Sequence, residues 1–133
     1  MSAPSRTLHL SLWAAQVALA ALFFMSGAWK TLTPLDELAQ ALPWVADAPG
    51  WIPRFAGISE VLGAIGLIAP SALRIAPKVT ALAAAGLALV MALAVALHTY
   101  LGDWGVLPVN LAIGAACGFV IWGRTTAAPI TAR

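Results

Sequence analysis

The chain has 133 residues, 62% hydrophobic and 9% charged, and a mean hydropathy of +0.92; that balance excludes a water-soluble domain and makes lipid the solvent. Its net charge of +2 comes from basic residues scattered singly, with no run or helical stripe, which excludes a nucleic-acid partner. The single cysteine, Cys117, lies in an apolar stretch, so an intrachain disulfide, a CxxC pair and a cysteine-rich metal site are excluded, and no metal is expected.

A span needs about 20 apolar residues, so residues 1–133 are read as a single transmembrane domain. The first span covers about residues 8–30 and is apolar apart from His9, Ser11, Gln16 and Ser26. Ser26-Gly27-Ala28 would also suit a signal-peptide cleavage site, but the stretch is longer than the usual signal core and the rest of the chain is as hydrophobic. In the loop that follows, Thr33-Pro34-Leu35-Asp36 reads as an N-cap, a proline at the first helical position and an acidic residue at the third. The spacing predicts a short amphipathic helix with Leu35, Leu38, Ala39 and Leu42 on one face, lying flat on the membrane surface. Trp29, Trp44, Trp51 and Trp104 fit an aromatic belt at the same interface.

The second span is predicted over residues 55–73, the third over 79–100 and the fourth over 106–123. Arg74, Pro77 and Lys78 separate the second from the third, and Gly102-Asp103-Trp104-Gly105 makes a tight turn before the fourth. The fold class is therefore all-α: a membrane-embedded four-helix bundle with a short amphipathic interfacial helix in the first outer loop. Arg6, Arg74, Lys78, Arg124 and Arg133 fall on one side, whereas Asp36, Glu37, Asp47 and Asp103 fall on the other. By the positive-inside rule both termini are expected to be cytoplasmic, in the cell (inner) membrane. Gly114 and Gly118 in the fourth span, and Ser59, Gly63 and Gly66 in the second, are expected to mark helix contact faces, with a homo-oligomer as another use of the same spacing.

Lys30, Glu60, His98 and Asn110 are the polar residues within the spans that could carry chemistry. Because the spans alternate in direction, all four are expected in one layer, with Glu60 and Asn110 roughly 6 to 8 Å below the outer interface at ~1.5 Å of rise per residue. An ionised group inside a membrane costs on the order of 2.5 to 3.5 kcal/mol on insertion scales and seeks a partner. Lys30 and Glu60 are therefore expected to pair, directly or through water, with His98 and Asn110 completing the network. Each has a plainer reading beside this one. Lys30 could snorkel to the headgroups, Glu60 could be a protonated packing residue, His98 could be interfacial and Asn110 could be interhelical glue. Met91, in mid-span, is either core packing or the wall of a pocket.

Phe24-Met-Ser-Gly27-Ala-Trp-Lys30 closing the first span, Glu60-Val-Leu-Gly63 with Gly66-Leu in the second, and Met91 with His98 in the third resemble the DoxX-like family of small four-helix membrane proteins. The resemblance covers most of the chain. It implies that the family's lysine and glutamate are Lys30 and Glu60, and that its histidine is His98. It also implies a link to membrane quinone oxidoreductases on one side and to assembly roles on the other. No cofactor is evident in the residues, and a quinone is the ligand the resemblance brings in; the cysteines, haem ligands and nucleotide fingerprint of an autonomous redox enzyme are not in the sequence.

The function expected is a non-catalytic accessory subunit, or a binder of a lipophilic small molecule held at the outer polar layer. Its partners would be the lipid bilayer, with a membrane protein or a second copy beside it. The alternative is a subunit of a quinone-linked oxidoreductase in which Glu60 or His98 relays protons. A transporter or channel is disfavoured by four short spans with no broken helix, no inverted repeat and one shallow polar layer.

Overall fold

The computed structural model describes residues 2–133. Six helices follow in chain order: α1 (Arg6–Leu32), α2 (Leu35–Ala41), α3 (Trp44–Asp47), α4 (Trp51–Leu73), α5 (Lys78–Leu101) and α6 (Leu107–Trp122). A 3-10 turn over Trp104–Val106 leads into α6, and a π-helical turn over Gly123–Ala127 leaves it. Four helical stretches are long and apolar enough to cross a membrane: Arg6–Leu32, Trp51–Leu73, Lys78–Leu101 and Trp104–Ala127. They make an all-α bundle, with no strand among the described residues.

Each long helix turns one stripe inward. In α1 the buried residues are Leu12, Gln16, Leu19, Phe23 and Gly27, and in α4 they are Pro53, Gly57, Glu60, Ala64, Leu67 and Ser71. Both sets step by three and four, the spacing that keeps residues on one helical face. Phe23, Leu67, Leu87, Cys117 and Val120 belong to the shared core. The opposite faces are just as apolar: Leu22, Met25, Leu62, Ile65, Leu82 and Leu93 are exposed. An outer surface of that composition is satisfied by lipid tails and not by water. Neighbours pack in the order α1–α4–α5–α6, and the seam between α6 and α1 that closes the ring is the thinnest.

Several boundaries differ from the sequence expectation. The second span begins at Trp51, a turn earlier than residue 55, and takes Arg54 into the helix. The short interfacial helix begins at Leu35, with Pro34 in extended geometry as its N-cap and no side-chain cap bond. Thr33 instead closes α1, its N–H donating to Trp29 O at 3.0 Å. Pro34 itself keeps extended torsions, and its carbonyl accepts the first helical bond from the Leu38 N–H at 2.9 Å, so the helix opens one residue later than a Thr33 cap requires. The loop also folds onto the bundle more than a flat helix would, burying Leu38 completely and Val45 in the additional helix α3.

Of the small residues expected at contact faces, Gly63 packs on Leu87 and Gly66 on Ala83. The fourth-span pair is split: Gly118 faces open space, whereas a Cβ on Gly114 would stand in ordinary contact with Met91 Cβ at 3.7 Å. It is Cys117 that turns into the core.

Candidate functional site

Gly27 of α1 and Gly57 of α4 build a close helix crossing. A Cβ on Gly27 would lie 2.5 Å from Gly57 O, and one on Gly57 would lie 2.8 Å from Gly27 O. With no side chain between the backbones, Glu60 Cβ sits against Gly27 and Lys30 Cβ against Gly57. Side chains on a helix lean toward its N-terminus. In two antiparallel helices that lean brings Lys30 and Glu60 toward each other, and Lys30 Nζ donates to Glu60 Oε1 at 2.7 Å.

The second carboxylate oxygen, Oε2, accepts from Ser26 Oγ at 3.0 Å. Glu60 is thus bonded through both oxygens with its side chain 2% exposed, against 15% for Lys30. Arg54, which the sequence pattern did not single out, donates from Nη1 to Lys30 O at 2.6 Å and Thr31 O at 2.9 Å. Those are carbonyls of the last turn of α1, which have no partner within the helix and sit at the negative end of its dipole. The signal available in sequence was a cation in the first turn of the following span.

His98 and Asn110 are placed apart from this pair. Gly102, at φ +73, ends α5 in the left-handed region that glycine adopts without strain. The turn carries Asp103 back, its N–H bonding His98 O at 2.8 Å. His98 Nδ1 then meets Asp103 Oδ2 at 3.0 Å, and the imidazole stands edge-on to Trp44 with ring centroids 6.3 Å apart. Asn110, early in α6, has a buried Nδ2 with no hydrogen-bond partner. Among the described residues no hydrogen bond joins His98 or Asn110 to Lys30 or Glu60. The four residues accordingly do not form one network: the ion pair sits between α1 and α4, the His98–Asp103 pair at the end of α5, and Asn110 between α5 and α6.

Asn110 lines a groove of about 420 Å³ together with Met91, Ala88, Val95, Leu111 and Gly114. Met91 is 7% exposed and contributes both to the core and to this wall. Small residues at Ala88, Ala92, Gly114 and Ala115 line it and make the space. The lining is apolar except for the Asn110 amide.

A second polar cluster lies at the opposite end of the bundle. Arg124 is 6% exposed, and its Nε donates to Gln16 Oε1 at 2.6 Å. Gln16 in turn donates from Nε2 to Leu67 O at 2.6 Å, tying α6 to α1 and α1 to α4. In the sequence Arg124 reads as a topology charge and Gln16 as an isolated polar residue, because nothing in a linear pattern pairs positions so far apart. No group of three or more His, Cys, Asp or Glu that could hold a metal ion is found among the described residues.

Residues 14–120 match the DoxX-like family, and the chain belongs to it. The match spans the Lys30–Glu60 pair, His98, Met91 and Asn110, and stops short of Arg124. Comparison with curated proteins and with solved structures returns no match.

Proposed function

We propose that this DoxX-like membrane protein is a non-catalytic binder of a lipophilic small molecule, acting alone or as the accessory subunit of a membrane complex. The observation that carries the proposal is the Asn110 amide: a buried N–H donor without an acceptor, set in an apolar groove between two spans. A buried donor left unsatisfied costs on the order of 1 to 3 kcal/mol. A ligand carbonyl entering from the membrane would satisfy it while the apolar walls hold the rest of the molecule. Quinones combine a ring carbonyl with a lipophilic body and are the ligand class we put forward. In this reading the Lys30–Glu60 pair fixes the α1–α4 crossing and is not itself the ligand contact.

Binding is favoured over a proton relay because Glu60 is closed on both oxygens by Lys30 and Ser26, while His98 is engaged with Asp103. Among the described residues no hydrogen-bonded chain connects either to the groove. We further propose an inner-membrane orientation with both chain ends cytoplasmic, supported by Arg6, Arg74, Lys78, Arg124 and Arg133 at one end of the bundle. Arg54 lies at the other end, but it is consumed by the α1 carbonyls.

Native mass spectrometry of the protein in mild detergent, with a short-chain benzoquinone added, tests the ligand reading. A one-to-one adduct on the unaltered chain and on Glu60→Gln, lost in Asn110→Leu, is the expected result. An adduct that survives Asn110→Leu but not Glu60→Gln would move the site to the ion pair and overturn the groove. The bare bundle in every case would leave a structural or assembly role.

A further inference from the structure

We propose that a recess at the Arg124 end of the bundle, remote from the Asn110 groove, is a binding site for a phosphate group. Its volume is about 410 Å³, and its polar lining comes from His9 of α1, Ser71 of α4, Arg74 after α4 and Thr131 of the chain's last segment, with Trp13 on the wall. No carboxylate side chain lines it. Every charged or titratable group there is basic, which selects an anion.

The donors are arranged by the surrounding bonds. Arg74, with a left-handed backbone at φ 56, donates from Nε to Thr131 O and from Nη2 to Thr131 Oγ1, both at 2.9 Å. That leaves its Nη1 group unengaged and the Thr131 hydroxyl proton free to donate. The Arg133 N–H closes the turn on Arg74 O at 3.0 Å, so the segment after α6 is pinned across the end of α4.

Behind His9 and Trp13 lies Arg124. Its Nη1 donates to Ala128 O at 3.1 Å and faces His9 Nδ1 at 3.3 Å, its guanidinium carbon stands 5.3 Å over the Trp13 ring, and its buried Nη2 has no partner. A guanidinium only donates, so His9 Nδ1 must accept, and the ring proton sits on Nε2. His9 therefore presents a donor as well. Among the described residues neither Arg124 nor Arg74 is within ion-pair distance of a carboxylate; the carboxylates that meet a basic side chain are Glu60, on Lys30, and Asp103, on His98. A buried cation without a counter-charge is costly in a low-dielectric interior. A phosphate in the recess would lie across His9 and Trp13 from that charge and would take a charge-assisted hydrogen bond from the open Nη1 of Arg74.

The phosphate could be that of a lipid headgroup or a free anion, and the experiment separates them. Thermal unfolding in a neutral detergent is followed while phosphatidylglycerol, phosphatidylcholine or inorganic phosphate is titrated in. Saturable stabilisation by phosphatidylglycerol with none from inorganic phosphate identifies a lipid site; stabilisation by inorganic phosphate identifies a free-anion site. In either case Arg74→Gln should weaken the apparent affinity roughly tenfold or more, the loss of one charge-assisted hydrogen bond. Lys78→Gln removes the same charge from outside the recess and should leave the affinity unchanged. Equal weakening by both substitutions, or no difference between phosphatidylglycerol and phosphatidylcholine in the absence of a phosphate effect, overturns the proposal. Since Arg124→Gln could disturb folding, His9→Gln serves as the second variant, with a smaller loss expected. Quinone retention at the Asn110 groove should survive all these substitutions, so the two sites fail independently.

Discussion

Replacing Lys30 by methionine keeps the length of the stem but removes the partner of a carboxylate that is 2% exposed. Two unit charges ~4 Å apart attract by about 4 kcal/mol at an effective dielectric of ~20. Losing one member of a buried pair costs on the order of 3 to 5 kcal/mol, since the other charge stays buried without compensation. Lys30→Met should therefore be strongly destabilising. Glu60→Gln should cost less, about 1 to 3 kcal/mol, because the Lys30 amine lies in the last turn of α1, is 15% exposed and can turn outward. The double variant Lys30→Met/Glu60→Met puts two apolar side chains at the crossing and should recover to within ~1 kcal/mol of the unaltered protein. Reversible unfolding in mixed micelles with a denaturing detergent, followed by far-ultraviolet circular dichroism, gives the three differences and their coupling. A coupling below ~0.5 kcal/mol would mean that the two residues act independently, and the ion pair would lose its place as the fastener of α1 to α4.

The crossing itself predicts that Gly27→Ala costs about 1 to 3 kcal/mol through overpacking, as its Cβ would meet Gly57 O at 2.5 Å; Gly118→Ala, facing open space, should be neutral in the same unfolding assay. Arg54→Met should lower stability by about 1 to 2 kcal/mol by uncapping the Lys30 and Thr31 carbonyls. Amide hydrogen exchange should localise that loss to the last turn of α1, and an effect spread evenly over the bundle would contradict the capping role.

Hydropathy alone located the four spans, and the depth of Lys30 and Glu60 along them was enough to foresee that they meet. The rotation of each helix about its axis was far less legible. In water the apolar stripe tells which face turns inward, but in lipid the outward face is equally apolar, so the period carries little information. Only polar or small residues then break the tie. α4 has Glu60 and Gly57 to do so, whereas α6 has an apolar surface nearly all round, and of its Gly114–Gly118 spacing only Gly114 faces a neighbouring helix, with Cys117 and not Gly118 turned into the core. Asn110 was visible as a polar residue, but its neighbours were not, because they depend on that rotation. His98 was drawn away from the ion pair by a local event, the left-handed turn at Gly102 that presents Asp103. The cluster at Arg124 joins residues from both ends of the chain, Gln16 and Arg124, and a linear reading has no term for such a meeting.

The bonds around Arg74 and Arg124 also have a mechanical consequence. The segment from Ala128 to Arg133 is sewn to the bundle by Arg124 at its start and Arg74 near its finish. A load pulling on the end of the chain therefore meets charge-assisted bonds before it reaches the apolar body of α6. In a bilayer, where a helix can slide against lipid with little resistance, that stitching acts as a brake on the rotation and vertical travel of the last span, and it hands the load on to α1 through Gln16.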